Sequence, residues 1–351
     1  MLQASEWRTS RRYTREQGAK AFARFGPPND RDGLSDARAP LTNIQYGSRW
    51  SCYVRWCQEG ERQPMPASAD QVLDFFRYLR DERRLTAESI AHYLCALSTI
   101  HKIHHHPRLD RSKTVEPMNA LRERAEPPRR MAPLRGDMLA DLVRRFDPNN
   151  PRDARDAVIL LLAYACAFRS CELVGLDWER PGSSLLGGTG HIARDPRGGY
   201  MITLRKSKTS RRRSKQLPLP DEDMPSLGPW LDCWLMHAGT KPGQPLFRSM
   251  VRGGRILPQR LAAESVISIV RRRVHAYAQA TGKSEEEATY MCRLFGSHSM
   301  RRGYCTTAAD ECVPLAELRR RSRHTNIKQL GDYIEEAEGW HRSGLTNGVG
   351  F

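Results

Sequence analysis

The sequence lacks several features that would place the protein in common functional classes. No segment approaches the roughly 20 consecutive apolar residues that a membrane-spanning helix needs, and the N-terminal residues MLQASEWRTSRR lack the apolar core of a signal peptide. The nine cysteines are odd in number and include no Cys-x-x-Cys pair, which disfavours a disulfide framework or a zinc site. These absences predict a soluble cytoplasmic protein with reduced thiols, no bound metal and no membrane contact.

Acidic residues are scarce relative to basic ones. The chain holds 57 lysines and arginines against 40 aspartates and glutamates, a formal net charge of +17. Such an excess of positive charge favours a polyanionic partner. The length of 351 residues exceeds one ordinary hydrophobic core, so we expect at least two domains.

Local patterns divide the chain into four regions. Residues 1–40 mix charges with Gly, Pro and Asp and predict a flexible N-terminal arm. Residues 41–125 repeat apolar side chains at helical spacing, with a capping box from Ser68 to Gln71 and a helix starting near Thr86, so they predict a small all-helical domain. Residues 126–130 contain paired prolines and predict an extended linker. Residues 131–351 form the second domain.

The second domain combines helices with a predicted β-hairpin. Helical spacing covers residues 137–146, 153–167, 225–237 and 262–280, while residues 200–204 and 216–219 are the expected arms of the hairpin. The fold class is therefore mainly α with a small β-sheet. The connection between the arms carries seven basic residues, which either enter a DNA groove or form a solvated patch or localisation signal. They are Arg205, Lys206, Lys208, Arg211, Arg212, Arg213 and Lys215.

Two other clusters permit more than one interpretation. His101 and the run 104–106 suggest a metal site, but no cysteine or carboxylate lies at ligand spacing, so a solvated helix end is preferred. Arg271, Arg272 and Arg273 interrupt an apolar stripe. They indicate either DNA-backbone contacts or a plain solvent face, and the sequence does not decide between them.

Four polar residues near the C-terminus suit transfer of a phosphodiester. His298, Arg301, His324 and Tyr333 lie within 36 consecutive positions of the chain. A tyrosine can attack a phosphate and hold it as an ester, so no metal or nucleotide cofactor is needed to rejoin a strand. Arginine suits the phosphate oxygens, because its guanidinium is always charged and can donate two parallel hydrogen bonds.

The spacing of these residues resembles the C-terminal signature of tyrosine recombinases, the family of Cre and lambda integrase. The pattern is His298-x-x-Arg301, then His324 after 23 positions and Tyr333 after 9 more. Upstream, LLAYACAFRSCELVGLDW (161–178) is similar to the family's Arg-x-x-Glu-Leu box. The hairpin region resembles the segment that carries the family's lysine. Motifs matching in this order are far more specific than any one alone.

The resemblance implies a role for each matched position. Tyr333 would attack the scissile phosphate and form a 3′-phosphotyrosine link. Arg169, Arg301 and His324 would stabilise the charge that develops, and Glu172 would orient the guanidinium of Arg169. Lys208, with Lys206 as the second choice, would protonate the departing 5′ oxygen, and His298 would assist proton transfer from the tyrosine.

The resemblance also implies an architecture and partners. It predicts an N-terminal helical core-binding (SAM-like) domain and a C-terminal catalytic domain that form a clamp around DNA. The partners would be double-stranded DNA with inverted-repeat half-sites and three further copies of the chain, which exchange strands through a Holliday junction. The outcome would be integration, excision or resolution, as in a mobile element, and no cofactor would be required.

The chain departs from the family pattern in two places. Ser322-Arg323 precedes His324 where Leu-Gly is usual, and Met300 stands where Leu is common. Three alternatives share the chemistry or the DNA binding: a type IB topoisomerase, a telomere resolvase, and a non-catalytic architectural DNA-binding protein. The helical domain ahead of the catalytic one and the spacings of 23 and 9 positions favour the recombinase over the topoisomerase. Chemically intact side chains at all six matched catalytic positions argue against a non-catalytic protein.

Overall fold

The computed structural model describes residues 40–123, 131–179, 188–204, 214–324 and 330–331. The chain divides into two compact units, Met1–Pro128 and Arg129–Phe351. Apart from residue 40, where the first helix begins, the predicted N-terminal arm lies outside the described residues, as does the predicted linker at 126–130.

The first unit contains four described helices around an aromatic core. They are α1 (Pro40–Glu59), α2 (Ala69–Asp81), α3 (Ala87–Ile103) and α4 (Arg111–Glu123). Tyr53 and Phe75 are fully buried, and their ring centroids lie 5.1 Å apart in an edge-to-face arrangement. Large rings placed at helical spacing on neighbouring helices bury much apolar area for few residues, which suits a unit of this size. The all-helical prediction for this region is confirmed.

Hydrogen bonds at the helix starts follow the predicted caps only in part. Ser68 Oγ accepts the amide of Gln71 at 3.1 Å, and Thr86 Oγ1 accepts the amide of Ser89 at 3.4 Å. The side chain of Gln71, however, donates to Tyr53 Oη at 2.8 Å and does not complete the capping box. A tertiary contact with Tyr53 therefore occupies the Gln71 side chain, which the capping box would have used at the start of the helix.

His101 has a structural role at the end of α3. Its buried ring accepts the amide of Ala67 at Nε2 (3.2 Å), so its Nδ1 carries the proton that is donated to the carbonyl of Pro107 at 3.1 Å. Burial lowers the pKa of His101, which keeps the ring neutral. Across the described residues no group of His, Cys, Asp or Glu is arranged to hold a metal ion.

The second unit is built on one buried helix and a four-stranded sheet. Its helices are α5 (Gly136–Arg144), α6 (Pro151–Ala165), α7 (Ser170–Val174), α8 (Leu227–Ala238), α9 (Ser265–Ala280), α10 (Glu285–Arg293), α11 (Ser299–Asp310) and α12 (Leu315–Ser322). Every residue from 154 to 168 is buried, because the apolar helix α6 lies at the centre of the unit with α8 packed along it. Among the described helices none is long and apolar enough to cross a bilayer.

The sheet confirms the predicted hairpin. Its strands are β1 (Leu176–Trp178), β2 (Gly190–Arg194), β3 (Tyr200–Leu204) and β4 (Lys215–Leu219), in that order. β1 and β2 are parallel, and the other pairs are antiparallel, with Leu204 opposite Lys215. β5 (Arg248–Met250) and β6 (Ile256–Arg260) form a separate pair. The connection at 205–213, which holds most of the basic cluster, lies outside the described residues.

The arginines of α9 serve the interior of the second unit. Arg272 and Arg273 each donate to Asp156 Oδ2 at 2.8 Å, and Arg155 donates to Asp156 Oδ1. Arg271 donates to the carbonyl of Phe295 at 3.2 Å. For Arg272 and Arg273, neither sequence interpretation, DNA-backbone contact or plain solvent face, describes this arrangement. Together with Arg155 they neutralise a carboxylate on α6 that is inaccessible to solvent.

Candidate active site

The site begins where the buried helix α6 ends. Ala167 has φ 45°, in the left-handed region, and its amide bonds to Tyr164 while the amide of Phe168 bonds back to Ala163. These two bonds form a Schellman motif, a helix end that normally has glycine at this position. The turn directs the chain out of the core and exposes the carbonyl of Ala167 to the side chains of α11 and of the turn after α12.

Arg169 is held next to this corner by Glu172. Arg169 precedes α7, and its amide donates to Glu172 Oε2 at 3.1 Å while its Nη1 donates to Oε1 at 2.9 Å. Burial alone would raise the pKa of Glu172, but the charge of Arg323, the amide bond from Arg169 and the charge of Arg169 outweigh it and lower the pKa. The carboxylate therefore stays ionised, and the Arg169 side chain remains 24% exposed.

Arg301 enters the site from α11. Its guanidinium is nearly inaccessible and donates through Nη1 to the carbonyl of Ala167 at 2.6 Å and through Nε to His324 Nε2 at 3.3 Å. Its Nη2 has no hydrogen-bond partner among the described residues. Burial, followed by the charges of Arg169 and Arg323, lowers the pKa of Arg301 to about 10, so it remains charged at neutral pH.

A glycine allows α11 to dock closely enough for these contacts. A Cβ placed on Gly303 would lie 1.8 Å from the carbonyl oxygen of Leu134. The amide of Leu134 in turn donates to the carbonyl of Ser299 at 2.9 Å. Any larger residue at position 303 would push α11, and Arg301 with it, away from the corner at Ala167.

His324 follows α12 and is held in its neutral form. Nε2 accepts from Arg301, which leaves the proton on Nδ1, 2.9 Å from Ser322 Oγ. Desolvation, followed by the charges of Arg301, Arg169 and Arg323, lowers the pKa of His324 to about 4. His298, at the start of α11, is exposed. Its pKa is also lowered, by desolvation and then by the charges of Arg301 and Arg169.

Arg323 is a site residue that sequence reasoning missed. Its guanidinium, 6% exposed as a residue, donates to Glu172 Oε2 at 3.0 Å and to the carbonyl of Cys166 at 2.8 Å. The one signal in the sequence was a residue other than glycine immediately before His324. Its partners are more than 150 positions away along the chain, so no local pattern predicts them.

Positive charge surrounds an open cavity beside His324. The cavity has a volume of about 520 Å³. It is lined by Lys215, Gln216, Leu217, Ala316, Arg319, Arg320, Arg323 and His324. Lys215, predicted as a DNA contact, is exposed at the start of β4 and reaches this cavity. The exposed guanidinium groups of Arg319 and Arg320 at this concave surface suit the phosphates of a nucleic acid.

The structure brings together Arg169, Glu172, Arg301 and His324. His298 lies close enough for the charges of both arginines to lower its pKa. Tyr333 and Lys208 lie outside the described residues, as do the other predicted contacts of the hairpin connection. Those are Arg205, Lys206, Arg211, Arg212 and Arg213.

Comparison with known proteins assigns residues 134–339 to the phage integrase family. The chain is 26% identical over 316 residues to an integrase/recombinase XerD homolog of Selenomonas ruminantium, covering 86% of this chain and 84% of that protein. The fold resembles the Tn1549 transposon integrase in complex with a circular intermediate DNA (TM-score 0.58, 14% identity, 93% and 99% of the two chains). It also resembles the XerH site-specific recombinase bound to a palindromic difH substrate (TM-score 0.56, 13% identity, 95% and 84%).

Proposed function

The chain belongs to the phage integrase family, and from this premise we propose that it exchanges DNA strands through a 3′-phosphotyrosine intermediate on Tyr333. It is a tyrosine recombinase, an enzyme that cleaves and rejoins DNA. The observation that carries the proposal is the convergence of Arg169, Arg301 and His324, which come from three separate segments of the chain, on one charged corner.

The two arginines are arranged to stabilise charge on a phosphate. Both are anchored by protein contacts, Arg169 by Glu172 and Arg301 by the carbonyl of Ala167, so neither has to reorganise during the reaction. Arg301 Nη2 has no partner in the described part of the chain. An unsatisfied buried donor of this kind costs free energy, which a phosphate oxygen would recover.

The two histidines take different roles in this proposal. With their lowered pKa values both are neutral at pH 7. Neutral His298 can accept the proton that Tyr333 loses as it attacks. The negative charge of a bound phosphodiester opposes the surrounding arginines and raises the pKa of His324, which then donates a hydrogen bond to a non-bridging oxygen.

Lysine supplies the acid for the leaving group. A lysine proton is transferable and that of an arginine is not, so Lys208, with Lys206 as the alternative, protonates the 5′ oxygen. The antiparallel pairing of β3 with β4 supports this assignment, since Leu204 and Lys215, which flank the connection that holds both lysines, lie opposite each other and Lys215 lines the cavity. The other basic residues of the connection set DNA affinity and its salt dependence.

The partner is double-stranded DNA with inverted half-sites, bound by four copies of the chain on two sites. The released 5′-hydroxyl of one duplex attacks the phosphotyrosine of the other, and two such rounds pass through a Holliday junction. The palindromic substrate of XerH and the circular intermediate of the Tn1549 integrase support this choice of substrate. Integration, excision or resolution of a DNA element is the outcome.

The decisive experiment replaces the nucleophile. Tyr333→Phe removes only the hydroxyl, so we expect complete loss of the covalent adduct on a nicked copy of the target site, while binding in a mobility-shift assay is retained. Tyr290→Phe is the matched control, because Tyr290 is an exposed tyrosine on α10 of the same unit. It should form the adduct at the rate of the unmodified protein.

An adduct that survives Tyr333→Phe would remove the assignment of the nucleophile. Unmodified protein that binds its site but never becomes trapped on the nicked substrate would favour an architectural DNA-binding role instead.

A further inference from the structure

Arg323 occupies a backbone position that disfavours it. It caps the C-terminus of α12 in the left-handed conformation (φ 57°, ψ 32°), and its amide donates to the carbonyl of Arg319 at 2.9 Å. Glycine is the usual residue at such a helix end, because the Cβ of another L-residue comes too close to the neighbouring carbonyl oxygen and strains the backbone. Other interactions of the side chain must offset this strain.

The side chain of Arg323 gains those interactions at the corner that ends α6. Nη1 donates to the carbonyls of Cys166 and Arg321, both at 2.8 Å, and Nη2 donates to the carbonyl of Ala167 at 3.3 Å. The guanidinium carbon also lies 5.0 Å from the centre of the Phe168 ring. A cation at the carboxyl end of a buried helix complements the negative end of its dipole.

Two of the groups that Arg323 contacts also hold catalytic arginines. Glu172 accepts from Arg323 through Oε2 and from the Arg169 side chain through Oε1. The carbonyl of Ala167 accepts from Arg323 and from Arg301. The residue next to His324 in sequence is therefore bonded to the supports of both arginines.

Because Arg169 and Arg323 share Glu172, positive charge also remains available for the substrate. One carboxylate faces the guanidinium groups of Arg169, Arg323 and Arg301, so the corner keeps two uncompensated positive charges. Without Arg323, both oxygens of Glu172 would be available to Arg169 in a bidentate pair. That pair would neutralise Arg169, the more exposed of the two catalytic arginines, and change the direction in which its guanidinium points.

We propose that Arg323 is a positioning residue that fixes His324 against Arg169 and Arg301 and prevents Glu172 from engaging Arg169 with both oxygens. It acts without touching the DNA. This inference rests on the proposed function, since it concerns the same site.

The test is Arg323→Gly, because glycine suits the left-handed backbone and removes only the side chain. We expect cleavage of a nicked substrate to slow on the order of 10- to 100-fold, as for other residues that orient catalytic groups, with DNA affinity unchanged. The pKa of His324, followed by NMR of the imidazole, should rise. The charged groups that remain around His324 are Arg301 on α11, Arg169 before α7, and Lys215, Arg319 and Arg320 across the cavity.

Two further variants distinguish the effect of the charge of Arg323 from the effect of its geometry, and both from the effect of losing any arginine of α12. Arg323→Lys keeps the charge without the planar fork, so the pKa of His324 should stay low while cleavage remains slower than in the unmodified protein. Arg321→Ala removes a neighbouring arginine of α12 that pairs with Asp223 and makes no bond to Glu172. It should lower the melting temperature without changing the pKa of His324 or the cleavage rate of the folded protein.

The inference would be wrong if Arg323→Gly cleaved DNA normally and left the pKa of His324 unchanged. If Arg323→Gly instead lost DNA affinity, with a weaker salt dependence, Arg323 would be a phosphate contact. If Arg323→Gly no longer folded, Arg323 would be a residue of purely structural importance. Failure of the proposed function can be distinguished from failure of this inference. If the proposed function is wrong, the unmodified protein forms no adduct, but the NMR titration of His324 still shows whether Arg323 lowers its pKa.

Discussion

Two buried carboxylates in the second unit each pair with two or more arginines, and only one of these carboxylates lies at the candidate active site. Asp156, on α6, binds Arg155, Arg272 and Arg273, and the neighbouring Asp153 pairs with Arg273 at 2.6 Å. Glu172, on α7, binds Arg169 and Arg323. A list of ion pairs would not distinguish the two clusters.

The difference between the clusters lies in the balance of charge. Two carboxylates face three guanidinium groups in the Asp156 cluster, whereas Glu172 alone faces Arg169, Arg323 and the nearby Arg301. The first cluster fixes α9 against α6 and has little positive charge left for a ligand. The second keeps an excess of charge next to a cavity, which is what a phosphate site requires.

The largest expected effect concerns stability at the first cluster. Asp156→Asn removes the carboxylate shared by Arg155, Arg272 and Arg273, of which Arg155 is buried and Arg273 keeps its pair with Asp153, and should lower the free energy of unfolding by about 3–5 kcal/mol. Chemical denaturation measures this. Asp232→Asn, which breaks an exposed pair with Arg194, is the control and should cost below about 1 kcal/mol. Equal losses in the two variants would mean that the Asp156 cluster has no special structural importance.

The next effect concerns catalysis at the second cluster. Arg169→Ala removes an anchored donor and should lower the rate of adduct formation by about 10²–10³-fold. Arg272→Ala removes a partly exposed arginine of the first cluster and should leave that rate unchanged. A single-turnover assay on a nicked site compares them. If both variants cleave equally slowly, the distinction between the clusters is lost.

The smallest effect is a difference in pH dependence. The folded pKa of His324 is about 4 and its ordinary value is 6.5, so the unfolded chain binds the proton more readily. The contribution of neutral His324 to the free energy of unfolding is complete above pH 6.5. It falls as the pH drops toward 4, by at most on the order of 3 kcal/mol. The carboxylates of both clusters, whose pKa values are lowered, lose their contribution in a more acidic range.

His324→Asn should therefore reduce the loss of stability between pH 6.5 and pH 4 to the part contributed by His101 and His298, whose pKa values are also lowered, and leave the steeper loss below pH 4, as measured by melting temperature. An unchanged curve in this variant would show that His324 is not among the groups that titrate in that range.

The elements that follow from local pattern were predictable from the sequence. The alternating arms around Leu204 and Lys215, the apolar run of α6 and the cap at Thr86 all appear where their spacing places them. Arg169, Arg301 and His324 were predicted as catalytic residues from the family's residue types and their order, and the structure brings them together. Periodicity is enough for the helix, the hairpin and the cap, because each is specified by neighbours in sequence.

The features that depend on distant partners were not predictable. Arg272 and Arg273 resemble surface arginines until Asp156, more than 110 positions earlier, is brought beside them. Arg323 was recognised only as a departure from Leu-Gly, and the contacts that explain it belong to α6 and α7. The side chain of Gln71 was assigned to a local cap, but Tyr53 on another helix takes it.

The bond between Glu172 and Arg323 has a consequence for protein engineering. Chimaeras that exchange the segment around His324 between relatives would separate Arg323 from the acid with which it pairs. A recipient lacking that acid would have to bury an unpaired cation, and a donor segment with glycine would leave the acid without its second guanidinium. Positions 172 and 323 should therefore be transplanted, and randomised in libraries, as a pair.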